Sequence, residues 1–400
     1  MKRLIIALTF SLLAGCGTSS SANFAEEDYK MMSEANNQFA FDLFNELLKI
    51  KEAENIFFSP TSVHLALALA YNGAKTETKQ EMGAVLHVNQ YEVEETNRAY
   101  ASFLNKMNSD DGYATVNIAN SIWIRNGYPF LESFLNTTED YYGAEVHSVD
   151  FMDPKTKDEI NEWVEDATNK KIKDMVQQIK PNTVSYLLNA IYFKGEWKTP
   201  FDEKQTYIDT FTLANKQTKP HPFMSQYGKF DYLETNGFQA ISLPYANDEM
   251  SMIVVLPREG KSLKEFYSQL TAAQWDSWLN DFSKKEGSLQ LPKFEMEFEA
   301  TLNDPLINLG MPLAFSGQAD FRAMVEGGGI AIDEVRHKSY IVVNEKGTEA
   351  AAATSIAMTE SAAMDTFTMT VNRPFFYAIV DNASGTILFL GEMDNPVYVE

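Results

Sequence analysis

Two hydrophobic periods run through this chain. Ala35, Phe39, Leu43, Leu47 and Ile50 recur at helical spacing and predict an amphipathic helix. Ser59-Pro60 predicts another helix start: the serine oxygen can accept the free first-turn N–H groups, and proline suits the first position. The apolar run Val63 to Ala70 then reads as a buried helix, and Ile160, Trp163, Val164 and Ala167 as a further amphipathic one. Period two takes over later. Leu289, Leu291, Phe294, Met296 and Phe298 face away from Gln290, Glu295, Glu297 and Glu299, as a half-buried strand requires. Tyr340 to Val343, Phe375 to Val380 and Thr386 to Leu390 are short apolar strand runs, the last following a Ser-Gly turn. No proline interrupts the stretch between Leu313 and Arg373, so all of it can donate hydrogen bonds to a sheet. The helices and strands show no regular alternation and no fixed repeat, which predicts an α+β fold.

One apolar run belongs to neither pattern. Leu4 to Leu13 follows Lys2 and Arg3 and spans about ten residues, against the ~20 a spanning helix needs. It ends in Leu13-Ala14-Gly15-Cys16, which resembles a bacterial lipobox, the signal whose cysteine is lipidated through sulfur. Cys16 is the only cysteine, so an internal disulfide framework is excluded. An ordinary signal peptide with a chance cysteine is the alternative. The expected division is residues 1–15 as signal peptide, 16–27 as a lipidated, mostly small and polar tether, and 28–400 as the folded domain. This places the protein across the inner membrane, anchored to the cell envelope, or extracellular.

Composition narrows the partners. The chain has 400 residues and 44 % hydrophobic positions, enough for a substantial core, and no internal linker separates domains. Its net charge of −23 excludes nucleic acid as the expected partner, because phosphate binding needs clustered cations. A search for catalytic chemistry finds no Gly-x-Ser-x-Gly, no His-Glu-x-x-His and no phosphate loop, and Gly327, Gly328 and Gly329 lack dinucleotide spacing. The five histidines (His64, His87, His147, His221, His337) are scattered away from metal-ligand spacing, and His64 lies in the apolar helix run. No catalytic residue, cofactor or metal is therefore expected.

The segment Asn344 to Ser355 reads NEKGTEAAAATS. Its alanines favour a helix on propensity alone. A second pattern competes: Thr348, Ala350, Ala352, Thr354, Ile356 and Met358 form an uncharged alternate set, while Glu349, Ala351, Ala353, Ser355, Ala357 and Thr359 carry the charge. That is a strand able to bury one face, made of side chains small enough to slide past others.

Here the sequence resembles the serpins. Glu345-Lys346-Gly347-Thr348-Glu349 followed by Ala350, Ala351, Ala352 and Ala353 is similar to the hinge of inhibitory members. NIFFSPTS at 55–62, NAIYFKGEWKTPF at 189–201, LPYANDEMSMIVVLP at 243–257, LPKF at 291–294, Ala319-Asp320-Phe321, His337-Lys338, Asn372-Arg373-Pro374-Phe375 and Phe389-Leu390-Gly391 with Pro396 extend the match over nearly the whole mature chain. The resemblance implies one monomeric domain with three β-sheets, about nine helices and an exposed reactive-centre loop. It implies a suicide inhibitor: a serine protease cuts the loop and is acylated, and the loop then enters the large sheet as a strand and distorts the enzyme. By the same resemblance Ser59, Ser62, Asn189 and His337 form a polar cluster beneath the sheet. Trp197 marks the top, and Glu345 pairs with Lys293 at the entry point. Counting from the hinge glutamate puts the scissile bond at Ser361–Ala362; counting back from Asn372-Arg373-Pro374 favours Ala363–Met364. Between Lys346 and Arg373 there is no lysine or arginine, so the bait suits elastase-like or subtilisin-like pockets and not trypsin-like ones. A non-inhibitory member acting as a binding or chaperone module is the alternative.

Overall fold

A computed structural model describes residues 29–51, 54–108, 114–348 and 366–398. Among them are nine α-helices and fifteen strands in an α+β arrangement. The residues expected to be lipidated (Cys16), to continue the hinge (Glu349 and Ala350 to Ala353) and to bracket the scissile bond (Ser361, Ala362, Ala363, Met364) lie outside the described residues.

The smaller sheet has six strands, in the order Phe294–Thr301, Arg336–Asn344, Gly347–Thr348, Ser185–Glu196, Ala114–Arg125 and Glu145–Val149. The larger has nine, and Thr218–Glu234 explains why. This strand of 17 residues pairs early with Tyr207–Thr212, in the middle with Ser283–Pro292, and at its end with Phe238–Pro244. The three sheets that the resemblance implied are thus two continuous ladders among the described residues, because one strand is long enough to belong to two layers; the hinge strand Gly347–Thr348 accordingly lies in the six-stranded ladder and not in the larger one.

Local signals act as the sequence predicts. Ser59 caps the helix Pro60–Gly73, its Oγ accepting from the Ser62 N–H at 3.1 Å. His64 is buried in that helix, with Nε2 2.9 Å from the Leu86 carbonyl and Nδ1 3.0 Å from the Tyr100 hydroxyl. The first stripe builds the helix Lys30–Ile50, but Ile50 is 52 % exposed, since the helix ends there and its last turn has left the core. The alternating run from Leu289 to Phe298 is not one strand. It breaks at Pro292 and Lys293, so Ser283–Pro292 joins the larger sheet and Phe294–Thr301 the smaller. Lys293 is the joint between the two sheets.

Packing fixes what the smaller sheet can accept. Helix Pro60–Gly73 lies against one face through the main core. Helix Lys155–Ala167 covers part of the other through Ile160 and Val164, packed with Trp123, Phe151 and Leu188. A strand added between covered faces must bury its side chains, so it tolerates small ones.

Candidate functional site: the hinge and the gap beneath it

The two-residue strand Gly347–Thr348 is antiparallel to both its neighbours. Thr348 pairs with Val343 and Gly195, and Gly347 with Asn344 and Glu196. Below it, no ladder joins Arg336–Asn344 directly to Ser185–Glu196 among the described residues. A cavity of about 800 Å³ reaches between their lower ends, lined in part by Ala66, Leu67, Leu187, Leu188, Asn189 and His337. The chain has begun a strand at the top of this gap, and small residues follow it in sequence.

Backbone geometry requires glycine at the start. Gly347 has φ +151°, and a Cβ there would lie 2.1 Å from the Gly195 carbonyl oxygen and 2.8 Å from the Glu196 Cα. Thr348 is 1 % exposed, and its Oγ1 shares a 2.9 Å hydrogen bond with the Tyr245 hydroxyl. Burial pushes the Tyr245 phenol well above its usual range, so it stays neutral. Its ring stacks on Trp197, centroids 4.8 Å apart and 12° from parallel. Trp197 in turn clasps the hairpin: its Nε1 donates to the Asn344 carbonyl and its backbone N–H to the Lys346 carbonyl, each at 2.9 Å.

Glu345 is paired at the same end of the gap. Its Oε2 lies 3.0 Å from Lys293 Nζ, Thr206 Oγ1 donates to its Oε1 at 2.6 Å, and its carbonyl accepts from the Phe201 N–H at 2.8 Å. Burial alone would raise the carboxyl's pKa, but Thr206, its own backbone and Lys293 hold it below its ordinary value. Lys293 shows the reciprocal effect: burial opposes its charge, and Glu345 together with Tyr398 outweighs burial and raises its pKa. The two residues are only 8 % and 6 % exposed, so removing either partner strands a charge, at about 3–5 kcal/mol.

Beneath the gap, one helix terminus holds both flanking strands. The Ser59 N–H donates to His337 Nε2 at 3.1 Å, and Ser59 Oγ donates to the Leu388 carbonyl at 2.7 Å. Ser62 Oγ donates to Asn189 Oδ1; Asn189 Nδ2 passes on to Asn120 Oδ1 at 2.6 Å, and Asn120 Nδ2 to the Tyr142 carbonyl at 2.8 Å. His337 belongs to the strand Arg336–Asn344 and Asn189 to Ser185–Glu196, so separating the strands loads one polar network.

Because His337 Nε2 accepts a hydrogen bond, its proton sits on Nδ1 and the ring is neutral. Burial lowers its pKa to about 4. Between its ordinary value of 6.5 and 4, the unfolded chain binds the proton and the folded chain does not. The contribution of His337 is therefore complete above pH 6.5 and lost as pH falls to 4, about 3 kcal/mol in all. Glu392 works in the opposite sense: burial beside Asp394 raises its carboxyl to about 8. The whole-protein profile mixes the two, so the readout is a difference. Urea unfolding of the protein and of His337→Gln is expected to show their stability gap narrowing by about 3 kcal/mol between pH 6.5 and 4. A gap that stays constant would mean His337 is not held neutral.

The geometry thus brings Glu345, Gly347, Thr348, Trp197 and Lys293 to one end of the gap, and Ser59, Ser62, Asn189 and His337 to its floor. Tyr245, Thr206 and Asn120 complete these networks and had no role in the sequence reading. Tyr245 lies inside a quoted motif, but nothing local says that its hydroxyl meets residue 348. Among the described residues, no three His, Cys, Asp or Glu side chains cluster as a metal site. No helix of the described residues is long and apolar enough to cross a membrane.

Comparison with known proteins gives a consistent result. Residues 34–396 match the family described as Serpin (serine protease inhibitor). A serpin-like protein of Thermococcus kodakarensis is 37 % identical over 93 % of this chain and 87 % of its own. The human leukocyte elastase inhibitor is 36 % identical over 92 % of this chain and all of its own. Among solved structures, the thermophilic serpin tengpin in its native state superposes with a TM-score of 0.83 at 32 % identity, covering 91 % of this chain and 94 % of that one.

Proposed function

The chain belongs to the serpin family, and from that premise we propose that it is a suicide inhibitor of elastase-like or subtilisin-like serine proteases, tethered to a membrane through Cys16. Membership supports protease inhibition in general. The inhibitory reading is carried by one observation: Gly347–Thr348 already lies as a strand between two strands that, among the described residues, are otherwise not laddered to each other, and after Glu349 the six residues Ala350 to Ser355 are all small. A loop cut after this point can continue the strand. The protease supplies the nucleophile; this chain supplies the scissile bond and the gap. The bait lies at Ser361–Ala362, or else at Ala363–Met364.

Incubation with an elastase-like protease is expected to give a complex that survives boiling in detergent, and trypsin none. Trypsin finds no cation between Lys346 and Arg373 to fill its acidic pocket. Cleavage by every elastase-like and subtilisin-like enzyme tried, with no complex, would support the binding or chaperone reading instead.

The tether has its own test. The lipobox and the lone cysteine lead us to expect that protein extracted from membranes starts at Cys16 and carries acyl chains by intact mass. A mature chain beginning elsewhere, or an unmodified Cys16, would overturn the anchor and leave the inhibitor reading untouched.

A further inference from the structure

After the last strand, Ile387–Met393, the chain does not turn away into solvent. Residues 394–398 run back to the hinge. Asn55 Oδ1 accepts from the backbone N–H groups of Asp394 and Asn395 at 2.8 Å each, and Asn55 Nδ2 donates to the Asn395 carbonyl at 2.8 Å. Lys219 Nζ donates to the Pro396 carbonyl, and the Glu295 N–H to the Val397 carbonyl at 2.6 Å. Pro396 is buried, Val397 is 49 % exposed and Tyr398 is half-buried, the alternation of an extended segment laid on a surface.

The last described side chain lands on the entry ion pair. Lys293 Nζ sits 4.2 Å from the centroid of the Tyr398 ring and 3.0 Å from Glu345 Oε2. An ammonium over an aromatic face is attracted by the ring's negative quadrupole, more strongly where water is excluded. Lys293 is held from its backbone as well: its N–H donates to the Pro222 carbonyl at 3.0 Å, and its own carbonyl meets His221 Nε2. Only the end of the side chain retains freedom, and Tyr398 occupies one of its two sides.

We propose that Tyr398 is a positioning residue for loop entry: segment 394–398 latches Lys293 onto Glu345 and thereby keeps the gap closed to the uncut loop. A partner or a protease that displaced residues 394–398 would therefore change the lifetime of the active form without touching the loop or the scissile bond. The proposal rests on the inhibitory reading for its consequence, though not for its geometry.

The test reads amide hydrogen exchange over residues 343–348 in the full chain, with inhibitory capacity followed over time at 37 °C. Tyr398→Ala is expected to speed both exchange and loss of capacity about threefold to tenfold, the scale of a partly buried cation–π contact. Tyr398→Phe keeps the ring and loses only the hydroxyl, which also favours the Lys293 charge, so it should lie much closer to the parent than Tyr398→Ala does. In a Glu345→Gln background, Tyr398→Ala should add nothing at the hinge, because the ammonium no longer has a carboxylate to be presented to. Unchanged exchange in Tyr398→Ala, or equal effects with and without Glu345, would overturn the latch, the latter by reducing Tyr398 to general packing. If exchange responds as expected while no variant and no parent traps a protease, the latch stands and the inhibitory reading falls.

Discussion

Thr348→Arg is expected to turn the inhibitor into a substrate. Residue 348 faces a fully buried site, with its hydroxyl on Tyr245 and the stacked Trp197 ring beyond. An arginine there has no carboxylate among the named neighbours and must leave an unpaired charge in that space or keep the strand out of the gap. Stranding such a charge costs several kcal/mol, and each 1.4 kcal/mol is a factor of ten in rate. Insertion slowed by two or more orders of magnitude lets water reach the acyl-enzyme first. The protease should cut the variant at the parent's rate, since the bond itself is unaltered, and be released active. Thr348 is already in the sheet of the uncut protein, so trapping at the parent's stoichiometry would show that a charge at this first position does not obstruct the strand that continues from it.

Cleavage of the loop should make the protein far more heat-stable. A central strand of about ten residues gains ladders on both sides, and at ~0.5–1.5 kcal/mol net per hydrogen bond this reaches order 10 kcal/mol. Burial of Ile356 and Met358 adds roughly 1.5–3 kcal/mol each. For a chain of this size that corresponds to a rise in Tm of roughly 10–15 °C or more. On the proposed reading, Glu345–Lys293 and the Ser59–His337 and Ser62–Asn189 bonds are the contacts expected to hold the uncut form against this gradient and so to make it kinetically stable. Scanning calorimetry before and after a single cut within residues 358–364 provides the comparison. An unchanged Tm would mean that the gap does not accept the loop.

What the sequence revealed and what it hid divide along physical lines. Short-range chemistry was legible: the Ser59 cap, the helical stripe of residues 35–47, and the freedom of Gly347 follow from neighbours within a turn or two. The two-residue period read in the hinge starts at Thr348, which lies in the strand Gly347–Thr348, while residues 349–359, which carry the rest of that period, lie outside the described residues. Partners brought together across the chain were not. Tyr245 meets Thr348 over 103 positions, and Tyr398 meets Lys293 over a similar distance. The pairing of Glu345 with Lys293 came from resemblance, since no periodicity links two residues on separate strands. The run Leu289 to Phe298 misled for a related reason. Alternation reports which way side chains point and is blind to a change of sheet at Pro292.

Trapping requires that insertion outrun hydrolysis of the acyl-enzyme. Its most direct test is the mass of the detergent-resistant product formed with an elastase-like or subtilisin-like protease, together with the sequence of the peptide released from it. The predicted result is one protease joined to one inhibitor chain that has lost its C-terminal fragment, the fragment beginning at Ala362 or Met364. A product that is only cut inhibitor and free, active protease would contradict it, as would a trapped complex with trypsin at a bond between Lys346 and Arg373.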